Sequence, residues 1–90
     1  MDSLIIKRLI ENKIKFLDQD IKHYTEICHQ KRRENEDVNN LSVYKYEQNK
    51  QVITLYEAWI DDLSAQLEVY RHVLEVINMV IDAPWAFKEV

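Results

Sequence analysis

Residues Ile10–Cys28 read IENKIKFLDQDIKHYTEIC. Within them Ile10, Ile14, Leu17, Ile21, Tyr24 and Cys28 recur at spacings of 4, 3, 4, 3 and 4. That alternation keeps the apolar side chains on one stripe of an α-helix and is the seam of a coiled coil. A half-buried strand would instead alternate at every second residue. Extended in both directions, the pattern predicts a helix over 3–35, with Asp2 or Ser3 as its N-cap.

The next stretch, RRENEDVNN (Arg32–Asn40), has no apolar period and is rich in turn formers. A turn is predicted over 36–41. Asn39 and Asn40 tolerate left-handed backbone, and Asn40 or Ser42 is placed to cap a second helix. That helix is predicted over 42–83. Its seam reads Val52, Tyr56, Trp59, Leu63, Tyr70, Val73, Ile77 and Val80, with Gln66 as a polar member, and Ile60, Leu67, Leu74 and Ile81 form a second stripe beside it. SVYKYEQNKQ (Ser42–Gln51) is the weakest part of this helix, because its valine and tyrosines also suit extended backbone. Pro84 ends the helix by biasing Ala83 away from helical backbone, which leaves a tail over 84–90.

Two long helices joined by a short polar turn become antiparallel neighbours. The fold class is therefore all-α: an antiparallel two-helix hairpin with long, coiled-coil-like helices. A turn centred near Val38 or Asn39 sets Cys28 near Asn49, Ile21 near Tyr56, Leu17 near Ile60 and Ile10 near Leu67. On that register everything from Glu75 onward overhangs the first helix or folds back.

Composition narrows the class further. Ninety residues make one small domain, 1–90. Glycine is absent and Pro84 is the only proline, which excludes Gly-rich phosphate-cradling loops. Cys28 is the only cysteine, so no disulfide forms within the chain and a reducing, cytoplasmic setting is expected. The charged N-terminal stretch MDSLIIKRLIENK does not read as a secretion signal, and no apolar run suits a membrane span. The net charge is −4. Residues 1–45 carry nine Lys/Arg and eight Asp/Glu, whereas residues 46–90 carry three and eight. That acidic half disfavours direct nucleic-acid contact, which needs a basic face.

The apolar stripes are wider than two helices need. A hairpin buries one stripe per helix, and a wider one calls for a third surface. The expectation is self-association of hairpins into a two-fold four-helix bundle; the alternative is that APWAF (Ala83–Phe87) folds back and lids the end within one chain. The bundle's interface is expected at Leu9, Phe16, Leu67, Leu74, Ile77, Ile81, Trp85 and Phe87.

Chemistry-bearing constellations are sparse. Glu26 and His29 have the Glu-x-x-His spacing of di-metal carboxylate bundles, but both fall on the outer face of the helix, so no metal site is expected. Cys28 reads as a small buried apolar residue, and His23 as a packing histidine beside Phe16 and Leu9. His72 is expected to pair with Glu68, and Arg71 with Glu75. Lys31, Arg32 and Arg33 are offset at once by Glu34, Glu36 and Asp37. No Ser/His/Asp or Cys/His arrangement and no pair of catalytic carboxylates is present at useful spacing, so no catalytic residue and no cofactor is expected. Asp61, Glu68, Glu75 and Asp82 repeat every seven residues, with Glu57 nearby, and form an acidic stripe.

The functional expectation is a small non-catalytic regulator, adaptor or inhibitor that binds another protein through a helix face. Such chains suit viruses and mobile elements in size and composition. Two alternatives stand beside it: an oligomer that binds a small molecule or nucleotide in pockets between chains, and an acidic decoy for a basic nucleic-acid-binding partner.

Overall fold

A computed structural model describes residues 2–37, 39 and 41–83. The chain forms two helices, α1 over Ser3–Glu36 and α2 over Val43–Asp82, packed antiparallel as a hairpin. At 1.5 Å per residue the 40-residue α2 is about 60 Å long. The radius of gyration is 20.1 Å, against about 12 Å for a globular chain of this length. The molecule is a rod, so every residue of a helix lies within one side chain of solvent or of the other helix.

Local chemistry sets the helix ends. The Asp2 carboxylate accepts a hydrogen bond from the Leu4 N–H at 3.0 Å, and the Ser42 hydroxyl accepts one from the Lys45 N–H at 3.1 Å. Each satisfies a backbone donor that the first turn leaves without a partner. The second helix starts at Val43 and runs through Gln51 without a break, so of Ser42–Gln51 only the capping Ser42 is extended. It ends with Ala83 at φ −136°, ψ 62°, outside the helical basin as a residue before proline should be. No described residue has positive φ.

The seam of α1 is the expected one, with Leu17 and Cys28 its most buried members. The seam of α2 differs. Its innermost line runs through Asn49, Ile53, Tyr56, Ile60, Leu63, Leu67, Tyr70, Leu74, Ile77 and Ile81, with Asn78 and the end members of the expected seam, Val52 and Val80, also half-buried. Tyr56, Leu63, Tyr70 and Ile77 are common to both readings. Ile60, Leu67, Leu74 and Ile81 enter the core, while Trp59, Gln66 and Val73 lie exposed. Two candidate lines flank the shared one, and only the line through Ile60, Leu67 and Leu74 lacks a polar interruption. Burying Gln66 would strand an amide without partners, so α2 turns its unbroken line inward.

The register also differs from the expected one. The Cys28 thiol points at the Ile53 carbonyl, 4.0 Å away. The Tyr24 ring lies 5.2 Å from that of Tyr56, and Lys13 sits over the ring of Tyr70. Facing residues therefore have numbers summing to about 82. The α1 N-terminus reaches almost to the end of α2, and the long overhang from Glu75 does not occur.

A polar knot at the turn end fixes this register. Asn49 is 1% exposed, and its amide donates to Glu34 Oε2 at 3.1 Å and Asn35 Oδ1 at 2.9 Å. Asn35 in turn donates to the Tyr46 carbonyl at 3.4 Å. A single buried asparagine in a coiled-coil seam specifies alignment at a cost in stability, because any slip leaves its amide unpaired. Asn49→Ala should lower the melting temperature by roughly 4–15 °C, the equivalent of 1–2 kcal/mol of lost hydrogen bonding in a domain of this size. Asn49→Leu should retain stability but loosen alignment, seen as doubled NMR resonances for α1. Unchanged melting for Asn49→Ala would rule out the knot as a register device.

Candidate functional site

Lettering each heptad a to g with the observed seam at a and d, the two flanks of the rod differ in chemistry. In an antiparallel pair the e positions of both helices meet on one side and the g positions on the other. On the e side Arg32 pairs with Glu57, and Arg71 with Asp18 at 3.4 Å. These bridges cross from helix to helix and close that flank with charge. Arg71 thus does not take the expected Glu75, and His72 contacts Glu75 at 3.9 Å instead of Glu68.

The g side carries apolar groups. Leu9 and Phe16 on α1, and Leu55, Trp59, Val69, Val73 and Val76 on α2, occupy its g and adjoining c positions, and all are exposed. Leu9 is 60% and Phe16 62% exposed. Ile5 and Met79 sit next to this stripe. The other large exposed apolar residues, Leu4, Val43, Tyr44 and Tyr46, stand at the helix starts. Among the described residues between the helix starts, therefore, the large exposed apolar side chains lie on or beside one flank.

Aromatic packing fixes the middle of this flank. Trp59 stacks on Tyr56 with ring centroids 5.1 Å apart and meets Tyr24 edge-on at 5.5 Å. Such contacts hold the indole in place at the surface. Two polar residues interrupt the α2 stripe, and they satisfy each other: Gln66 donates to Asp62 Oδ2 at 3.2 Å.

The residues expected at an interface divide three ways. Leu9 and Phe16 are on the open flank. Leu67, 6% exposed, is spent inside the hairpin, and Leu74, Ile77 and Ile81 are half-buried along the same seam. Trp85 and Phe87 lie outside the described residues. From the sequence Val69 and Val76 read as apolar residues flanking the α2 seam, on the side away from Leu67, whereas Leu55 was missed. Their signal was present as a 3-4 spacing through Val52, Leu55, Trp59, Asp62, Gln66, Val69, Val73, Val76 and Val80.

The acidic stripe stands on α2, with Asp61, Glu68, Glu75 and Asp82 all exposed at b positions and Glu57 engaged by Arg32. Glu26 and His29 are exposed on α1. Among the described residues no three His, Cys, Asp or Glu side chains converge as a metal site would need. A depression on the e side is lined by Asp18, Ile21, Ser64, Arg71 and Glu75, where the one guanidinium is already committed to Asp18. No described helix is long and apolar enough to cross a membrane.

No protein-family model, curated protein or solved structure matches this chain.

Proposed function

We propose that this chain is a non-catalytic helical interaction protein whose hairpins self-associate through the g flank into a four-helix bundle, which then acts on another protein as an adaptor or inhibitor. One observation carries the reading: the exposed apolar side chains gather on one flank while cross-helix ion pairs close the other. The stripe is centred about a right angle around each helix from the hairpin seam. That is the second contact direction of a helix at the corner of a square bundle. Each of these side chains is worth roughly 1 kcal/mol or more if its remaining exposed surface is covered. An uncovered strip of this extent is also an aggregation hazard.

Sedimentation equilibrium of the purified chain tests this. A species of about 22 kDa or larger is expected at micromolar concentration, twice the 10.9 kDa of one chain. A strictly monomeric chain at millimolar concentration would defeat the proposal.

A second reading concerns the acidic row. Asp61, Glu68, Glu75 and Asp82 occupy outer corners of such a bundle, away from both contact directions, so self-association leaves them free to meet a basic partner protein. Binding through them would weaken steeply with salt.

A further inference from the structure

The stripe on each helix can be reversed about a midpoint with complementary groups meeting at most positions, and the two midpoints share one level. Along α1 the g and c positions read Ile6, Leu9, Lys13, Phe16, Asp20, His23 and Ile27. Reversed about Phe16, Ile6 lies against Ile27, Leu9 against His23, and Lys13 against Asp20. Along α2 the stripe reverses about Gln66, which sets Trp59 against Val73, Leu55 against Val76, Val52 against Val80 and Asp62, whose carboxylate already accepts from Gln66, against Val69. Phe16 and Gln66 are level along the rod, because facing residues sum to about 82.

Building on the self-association proposed above, we infer that the occupant of this flank is a second copy of the chain laid antiparallel, with turns at opposite ends and a two-fold axis between Phe16 and Gln66. In this arrangement α1 packs on the partner's α1, and α2 on the partner's α2. Two Lys13–Asp20 pairs form, one on each side of a Phe16–Phe16 contact. Both charges are free to do so: Asp20 makes no ion pair or hydrogen bond among the described residues, and Lys13 contacts only the Tyr70 ring.

Charge also decides against the competing two-fold arrangement, with both turns at one end. There α1 would face the partner's α2 at the same level, which sets Asp20 against Asp62 in duplicate. Like charges opposed in an interface are strongly disfavoured. Area is sufficient as well. From Val52 to Val80 the stripe is about 42 Å long, and the rod is 18 Å across. Two such faces in contact would bury on the order of 1,500 Å², the size of a standard specific interface.

Charge exchange on the full chain tests the arrangement. Lys13→Asp and Asp20→Lys should each raise the dimer dissociation constant by about ten-fold or more, since each opposes like charges twice. The double variant Lys13→Asp with Asp20→Lys should return to within about three-fold of the unaltered chain, which a merely local disturbance of α1 would not do. Phe16→Cys should form an interchain disulfide on mild oxidation, and Val76→Cys should not. A dimer whose affinity ignores both single changes, or whose double variant is no tighter than the singles, overturns the antiparallel arrangement while leaving self-association intact. Crosslinking of Val76→Cys in preference to Phe16→Cys also overturns it. A wild-type chain that stays monomeric overturns both.

Discussion

Replacing Leu67 by alanine should lower the free energy of unfolding by about 2–5 kcal/mol, whereas Gln66→Ala should change it by less than about 0.5 kcal/mol. The two residues are neighbours in sequence on the same turn of α2. Leu67 is buried between the helices, while Gln66 is exposed with its amide engaged by Asp62. A hairpin has no third layer to collapse into the space a lost isobutyl group leaves, so little of the cavity cost is relieved by relaxation. In a domain of this size the melting temperature should fall by at least about 8 °C. Urea denaturation of both variants, followed by circular dichroism at matched concentration, measures the contrast. Equal losses for the two would mean that α2 buries the line through Trp59, Gln66 and Val73 after all.

That contrast marks where the sequence was legible. Two helices, their ends at Asp2 and Ser42, and the turn between them are dictated by capping residues and a strong period, which are local properties. The α1 seam was legible because one apolar line dominates it. In α2 three lines lie side by side, at Tyr56, Trp59 and Ile60 and again every seven residues. Periodicity alone ranks them poorly when most members are apolar. The polar member of one line, Gln66, was the useful clue, since a buried amide needs partners that the seam of α1 does not offer at that level. Register was harder still. It depends on Asn49 finding Glu34 and Asn35, a contact between distant residues that no local pattern encodes. Asn49 does sit one heptad before Tyr56, and a polar residue continuing an apolar seam is the trace such a device leaves in a sequence.

Exposed apolar width was legible in the sequence, and the residues that carry it only in part. Excess apolar width was visible as Leu9 and Phe16 beside the α1 seam. Exchanging two lines of α2 moved Leu67, Leu74 and Ile81 inward and turned Trp59 and Val73 outward. That exchange changes which residues carry the exposed apolar surface and leaves such a surface in place. The physical content is that width is a sum over the helix, whereas location depends on which line wins the core.

Phe16→Glu should separate association from folding more sharply than any other single change. Phe16 is 62% exposed in the hairpin, so its loss costs the hairpin's own core little, and the adjacent Leu17 remains buried. In a two-fold assembly the substitution acts twice. It withdraws two phenyl groups from the contact, each worth roughly 1.5–3 kcal/mol when buried, and sets two carboxylates near one axis. A loss of about 4 kcal/mol in association corresponds to a dissociation constant about a thousand-fold higher. The unaltered chain should melt at a temperature that rises with concentration, because association stabilises only the folded form. The Phe16→Glu chain should melt at a lower temperature that no longer depends on concentration, and should remain helical below it. If it is unfolded at all temperatures, α1 needs Phe16 for its own packing and the division between inner seam and outer flank is wrong. If it associates as tightly as the unaltered chain, the flank is not where the copies meet. Should a natural protein partner be found, this variant also separates two modes of binding. A partner that needs the assembled bundle would be lost with it, while one held by the acidic row at Asp61, Glu68, Glu75 and Asp82 would stay bound to the single hairpin and leave only with added salt.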